Sequence, residues 1–151
     1  MTFYKIVLMI HIFSAIIGLG PGFVLTYIAR HAKTMVELRH AYYIRNRVHL
    51  FVMVGGTLLL VTGLLMGLLN PGLFKEFWFI TSLVLYLIAL AIAPLALISR
   101  AKPIKGILAD YEGENIPEAY HEAAKTLFFY ERITNIMLAI IIALMILKPF
   151  A

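Results

Sequence analysis

Long uncharged apolar runs constrain the fold of this chain more than any other feature. Residues 6–29, 48–69 and 77–99 each form a run of more than 20 residues without Lys, Arg, Asp or Glu. A helix of that length crosses a hydrocarbon core of about 30 Å. A fourth run, 133–147, is shorter but reaches a similar length when 127–132 is included. These runs do not fit the strands of a membrane barrel, which are short and alternate in polarity.

The runs predict an all-α fold, an integral membrane four-helix bundle in a single transmembrane domain, 1–151. The spans are predicted at approximately 4–29, 48–69, 77–99 and 127–147. Composition agrees, because 62% of the residues are hydrophobic and 14% are charged, whereas soluble domains are about half apolar and a quarter charged. The absence of cysteine excludes disulfides and a thiol nucleophile. The sequence contains no Walker A, GxSxG or HExxH motif, which are signatures of soluble enzymes.

The positive charges indicate how the bundle is oriented. Segment 30–47 holds five Lys and Arg residues against one Glu, and segment 100–132 holds another five. The link 70–76 has a single Lys. The positive-inside rule therefore predicts cytoplasmic long loops and an N-out/C-out, multi-pass protein, which we assign to a bacterial cytoplasmic membrane. We attribute the net charge of +5 to this orientation signal, because the basic residues lie in the loops. We therefore expect the lipid bilayer, and no nucleic acid, as partner.

A cytoplasmic amphipathic helical segment is predicted before the fourth span. The sequence IPEAYHEAAKTLFFYER follows a polar turn, and the Pro near its start suits the first turn of a helix. We expect this segment to lie along the inner membrane surface and to run into the fourth span. The Pro21 region of the first span predicts either a kinked helix or, less simply, a discontinuous helix of the kind found in transporters.

His11 is the first candidate for chemistry, since it is an ionisable group inside an apolar span. Its helical face continues through small residues: Ser14, Ala15, Gly18 and Gly22. Such a stripe has two interpretations. In the first, a flat macrocycle lies against the stripe with His11 as an axial ligand, which predicts haem. In the second, another helix packs closely against the stripe.

His49 begins a similar stripe in the second span. Gly56 and Gly63 follow it at heptad spacing. Arg45 and Arg47 lie beside His49, where they would pair with haem propionates. The alternative is a solvated histidine at the membrane edge. His11 and His49 are predicted roughly 20 Å apart along the membrane normal, so they are not expected to ligate one iron.

The segment KIVLMIHIFSAIIGLGPG resembles an uncharacterised family of bacterial four-helix integral membrane proteins. That family is distantly similar to the HemJ-type protoporphyrinogen oxidases and to the CopD copper-resistance domain. The resemblance implies that the histidine of the first span, His11 in this chain, ligates haem. The intramembrane lysine of HemJ-type proteins has no counterpart here, since the second and third spans contain no Lys.

The leading hypothesis is a haem-binding membrane protein in electron transfer or haem handling, with His11 and His49 as metal ligands. Ser14, Gly18, Gly56, Arg45 and Arg47 complete the predicted cofactor site. A second hypothesis is a non-catalytic subunit that joins a membrane protein partner or a homo-oligomer through its glycine stripes. A third is a small transporter that uses a break at Pro21.

Overall fold

Five α-helices make up the protein in the computed structural model, which describes residues 2–150. They are α1 (Phe3–Arg30), α2 (Met35–Leu69), α3 (Phe77–Ile92), α4 (Ile98–Asp110) and α5 (Glu118–Leu147). A 3-10 turn, Pro71–Lys75, joins α2 to α3, and a π-helical turn, Ala93–Leu97, joins α3 to α4. No strand occurs in 2–150, where the one isolated β-bridge pairs Thr34 with Asn115.

Four helical stretches are long and apolar enough to cross a membrane: α1, α2, the combined α3–α4 helix and α5. The prediction of an all-α membrane bundle with four spanning helices is therefore confirmed. Many large apolar side chains lie exposed on the outside of these helices, as a lipid-facing surface requires.

The helices pair as two hairpins. The first pairs α1 with α2, which approach most closely, and the second pairs α3 with α5. Tyr86 of α3 joins the two hairpins in the middle of the bundle, where it packs with Leu19, Leu59 and Leu138. A second apolar cluster lies at the end of the bundle that carries both hairpin turns, and a third lies at the opposite end around the link from α2 to α3, so the core runs along the whole bundle.

The segment before the fourth span belongs to the same helix as that span. Residues 118–147 form one continuous helix, because they contain neither Pro nor Gly to interrupt it. Its first half buries Tyr120 and Leu127 against Leu38 of α2 and Ile104 of α4. The expectation that this segment lies flat along the inner membrane surface is therefore wrong, since its apolar face is covered by helices.

The first span is not broken at Pro21. α1 continues as an α-helix from Phe3 to Arg30 with this proline inside it. The discontinuous helix that the transporter hypothesis requires is thus not found in α1. The neighbouring helix α5 supplies a polar contact here, because Asn135 Nδ2 lies 3.4 Å from the Gly22 carbonyl oxygen.

Candidate functional site

The glycine stripe of α1 faces α2 directly. A Cβ atom added to Gly18 would lie 2.6 Å from the Gly55 carbonyl carbon and 2.6 Å from the Gly56 nitrogen. Non-bonded carbons normally keep about 3.5–4.0 Å apart, so only glycine permits this approach of the two backbones. At Gly18, a second helix therefore lies against the stripe and leaves no open space. This agrees with the second of the two interpretations for this part of the stripe.

Ser14 and Gly56, two of the predicted cofactor-binding residues, also make contacts within the bundle. The buried Ser14 hydroxyl donates to the Ile10 carbonyl oxygen of its own helix at 2.7 Å. The Gly56 carbonyl oxygen accepts a hydrogen bond of 2.7 Å from the Tyr86 hydroxyl. These polar groups are therefore satisfied by the protein itself, and the bond from Tyr86 to Gly56 connects α3 with α2.

His11 lies at the seam between α1 and α2. Its Nδ1 atom is 2.9 Å from the Thr62 hydroxyl oxygen. A Cβ atom on Gly63 would be 3.2 Å from His11 Cε1, so the missing side chain leaves room for the ring. The first histidine of the sequence thus has a defined position, held by a polar partner on the neighbouring helix.

The hydrogen bonds of Thr62 favour one tautomer of His11. The Thr62 hydroxyl donates its single proton to the Leu58 carbonyl oxygen at 2.6 Å. Its oxygen therefore accepts from His11, which assigns the imidazole proton to Nδ1 and the lone pair to Nε2. Within residues 2–150, Nε2 has no hydrogen-bond partner.

His49 lies far from this position. It is exposed on α2, 13 residues before the Thr62 that contacts His11. At 1.5 Å per residue the two histidines are about 20 Å apart along the helix, so the structure does not bring them together. Arg47 is also exposed, with its guanidinium 5.4 Å from the centre of the Tyr43 ring.

Arg45 is buried in an ion pair with Glu131 of α5. A second guanidinium nitrogen donates to the Leu25 carbonyl oxygen, and the other Glu131 oxygen accepts from the Thr26 hydroxyl. This network joins α1, α2 and α5. The Arg45 guanidinium, which we assigned to a propionate, is thus engaged by groups of the protein. Sequence reasoning missed this role, although Glu131 is the one acid inside the fourth predicted span.

Two tyrosines lie beyond this ion pair, toward the α2 N-terminus. The hydroxyl oxygens of Tyr42 and Tyr120 are 3.4 Å apart, and their rings meet edge to face. Burial raises the pKa of Tyr42, and the hydrogen bond to Tyr120 raises it further. Burial raises the pKa of Tyr120 as well. Both phenols therefore stay neutral and act as hydrogen-bonding groups under ordinary conditions.

Residues 2–150 contain no group of three or more His, Asp or Glu side chains that would hold a bare metal ion.

The fold and these contacts define a multi-pass, four-helix integral membrane protein. More narrowly, the chain belongs to the family described as predicted integral membrane protein (DUF2269), which matches residues 5–149. Comparisons with curated proteins and with solved structures find no significant match.

Proposed function

We propose that this protein binds haem through His11 and acts in membrane electron transfer or haem handling. The observation that carries the proposal is the hydrogen bond between His11 Nδ1 and Thr62, since the other ring nitrogen, Nε2, has no partner within residues 2–150. Histidines that ligate metals commonly donate the other ring N–H in this way, which fixes the ring orientation. The distant resemblance to HemJ-type and CopD-type proteins supports the same role for His11.

The residues around His11 fit one axial bond and limit where the macrocycle would lie. Contact between Gly18 and Gly55 leaves no space for it between α1 and α2 along the stripe. The Tyr86 hydroxyl is already bonded to the Gly56 carbonyl oxygen, and Met66 is buried in the core. His11 is the residue of this chain that would hold the haem. When bound, haem would supply one-electron redox chemistry.

An optical spectrum tests the proposal. Protein expressed with a supply of haem and purified in detergent should show a Soret band. His11→Ala should abolish or shift this band, whereas His49→Ala, on the exposed surface of α2, should leave it unchanged. Thr62→Val removes only the partner of Nδ1, so it should shift the band or the midpoint potential without unfolding the protein. A colourless wild-type preparation would refute the proposal.

A second candidate is a non-catalytic subunit of a membrane assembly. The packing of Gly18 and Gly55 favours it, because the glycine stripe is explained by helix contact alone. Crosslinking in native membranes should then capture one defined partner or a second copy of the chain. A colourless protein with such a partner would support this candidate over haem binding.

A further inference from the structure

A groove of about 310 Å³ lies between α1 and α5, away from His11. Its polar lining consists of Thr26 and Arg30 from α1 and Arg132 and Asn135 from α5. Arg30 is the last residue of α1, and Arg132 stands near the start of the fourth predicted span. The polar part of the groove therefore lies at the membrane boundary, at the end of the bundle with the basic segments.

The two arginines have no acidic partner. No carboxylate within residues 2–150 lies within 4.0 Å of either guanidinium. The nearest acid in sequence, Glu131, is committed to Arg45 and Thr26. This groove thus carries positive charge that the protein itself does not balance.

Polarity falls with depth along the groove. Arg30 lies at the rim, 5.7 Å from the centre of the Phe128 ring, and Arg132 follows about 6 Å further along α5. Beyond Arg132 one polar side chain remains in the lining, Asn135, whose amide donates to the Gly22 carbonyl oxygen. The rest of the lining there is apolar, with Phe23, Ile136 and Ala139 exposed to the outside of the bundle. A cationic mouth that continues into an apolar channel complements a molecule with an anionic head and a hydrocarbon tail.

We propose that this groove binds an anionic phospholipid, with Arg30 and Arg132 on the headgroup phosphate and an acyl chain along Phe23, Ile136 and Ala139. Arginine binds phosphate oxygens through paired N–H groups, which makes it well suited to this contact. Basic pockets between spanning helices are a known mode of lipid headgroup recognition. This inference does not depend on haem binding.

Native mass spectrometry of the full chain tests the proposal. Protein released from nanodiscs that contain phosphatidylglycerol should retain this lipid, and protein from pure phosphatidylcholine nanodiscs should retain less. The double variant Arg30→Gln/Arg132→Gln should lower the retained phosphatidylglycerol roughly ten- to thirty-fold. Lys102→Gln/Lys105→Gln removes the same charge from exposed positions of α4 and should retain wild-type levels. Equal losses in both double variants, or equal retention of the two lipids, would overturn the proposal.

A second pair of variants leaves the charges intact. Ala139→Trp fills the apolar part of the groove and should lower lipid retention. Ala143→Trp, one turn further along α5 and outside the groove lining, is its control. If the arginine variants fail to fold, equal retention in these two variants would still refute an acyl chain in the groove. A competition experiment with inorganic phosphate distinguishes a lipid from a free anion. Displacement of the lipid by phosphate alone would show a free-anion site and overturn the lipid assignment.

Discussion

At the residue scale, single atoms decide how α1 and α2 pack. Gly18 has backbone atoms of Gly55 and Gly56 where its Cβ would be, whereas nothing lies within 4 Å of a Cβ on Gly20. The two glycines are two positions apart on the same helix, so they differ in contact but little in depth. They form a matched pair for testing whether the stripe is a packing surface.

Gly18→Ala should lower the free energy of unfolding by about 1–3 kcal/mol, because the added methyl group pushes the helices apart. Gly20→Ala should be neutral or stabilising by up to about 1 kcal/mol, since Ala favours the helix more than Gly does. Denaturation of both variants in the same detergent measures the difference. Equal stability of the two would contradict the close packing of α1 on α2.

The Arg45–Glu131 pair is a second feature at this scale. Glu131→Gln leaves the Arg45 guanidinium buried without its counter-charge, and should cost about 3–5 kcal/mol of stability. Glu122→Gln, an exposed acid on the same helix, is the control and should change stability by less than about 0.5 kcal/mol. In the double variant Arg45→Met/Glu131→Leu, most of the loss should be recovered. If Glu131→Gln alone left the free energy of unfolding unchanged, this would contradict a buried ion pair between Arg45 and Glu131.

At the scale of elements, α5 is the helix that differs most from the sequence-based expectation. It extends the fourth span inward and packs its first half against α2 and α4. The periodic apolar residues of this segment predicted an amphipathic helix correctly. The surface predicted to cover its apolar stripe was wrong. A membrane surface and neighbouring helices both bury an apolar stripe, so the sequence pattern is the same in the two cases.

A proline scan checks where α5 begins. Glu122→Pro falls inside the helix, where it removes a backbone hydrogen bond and clashes with the preceding turn, so it should cost about 3 kcal/mol or more. Glu118→Pro occupies the first helical position, which tolerates proline, and should be close to neutral. Thermal unfolding compares the two variants. A neutral Glu122→Pro would mean that this segment is not helical.

At the scale of the whole molecule, the bundle has two distinct ends. One end gathers Val7, Leu73 and Trp78 near the link from α2 to α3, and the other gathers Met35, Ile104 and Tyr120. The N-out/C-out orientation assigns the first end to the outside, and it remains a prediction from the loop charges.

Cysteine labelling tests this orientation cleanly, because the chain contains no cysteine of its own. Asn70→Cys and Lys148→Cys should react with a membrane-impermeant maleimide in intact cells. Asp110→Cys and Glu114→Cys, at the opposite end, should react only after permeabilisation. The reverse pattern would invert the assigned topology.

The membrane class, the four spanning helices and the candidacy of His11 all follow from the amino-acid sequence. Run length and the residue types along each helix are local properties, so they can be read without knowing which helices are neighbours. The packed bundle is needed to see that Gly18 faces Gly55, that Thr62 contacts His11 and that Glu131 balances Arg45. These contacts join residues 37, 51 and 86 positions apart. Their partners depend on which helices pack together, and that choice follows from the fit of whole helix surfaces, which no single stretch of sequence contains.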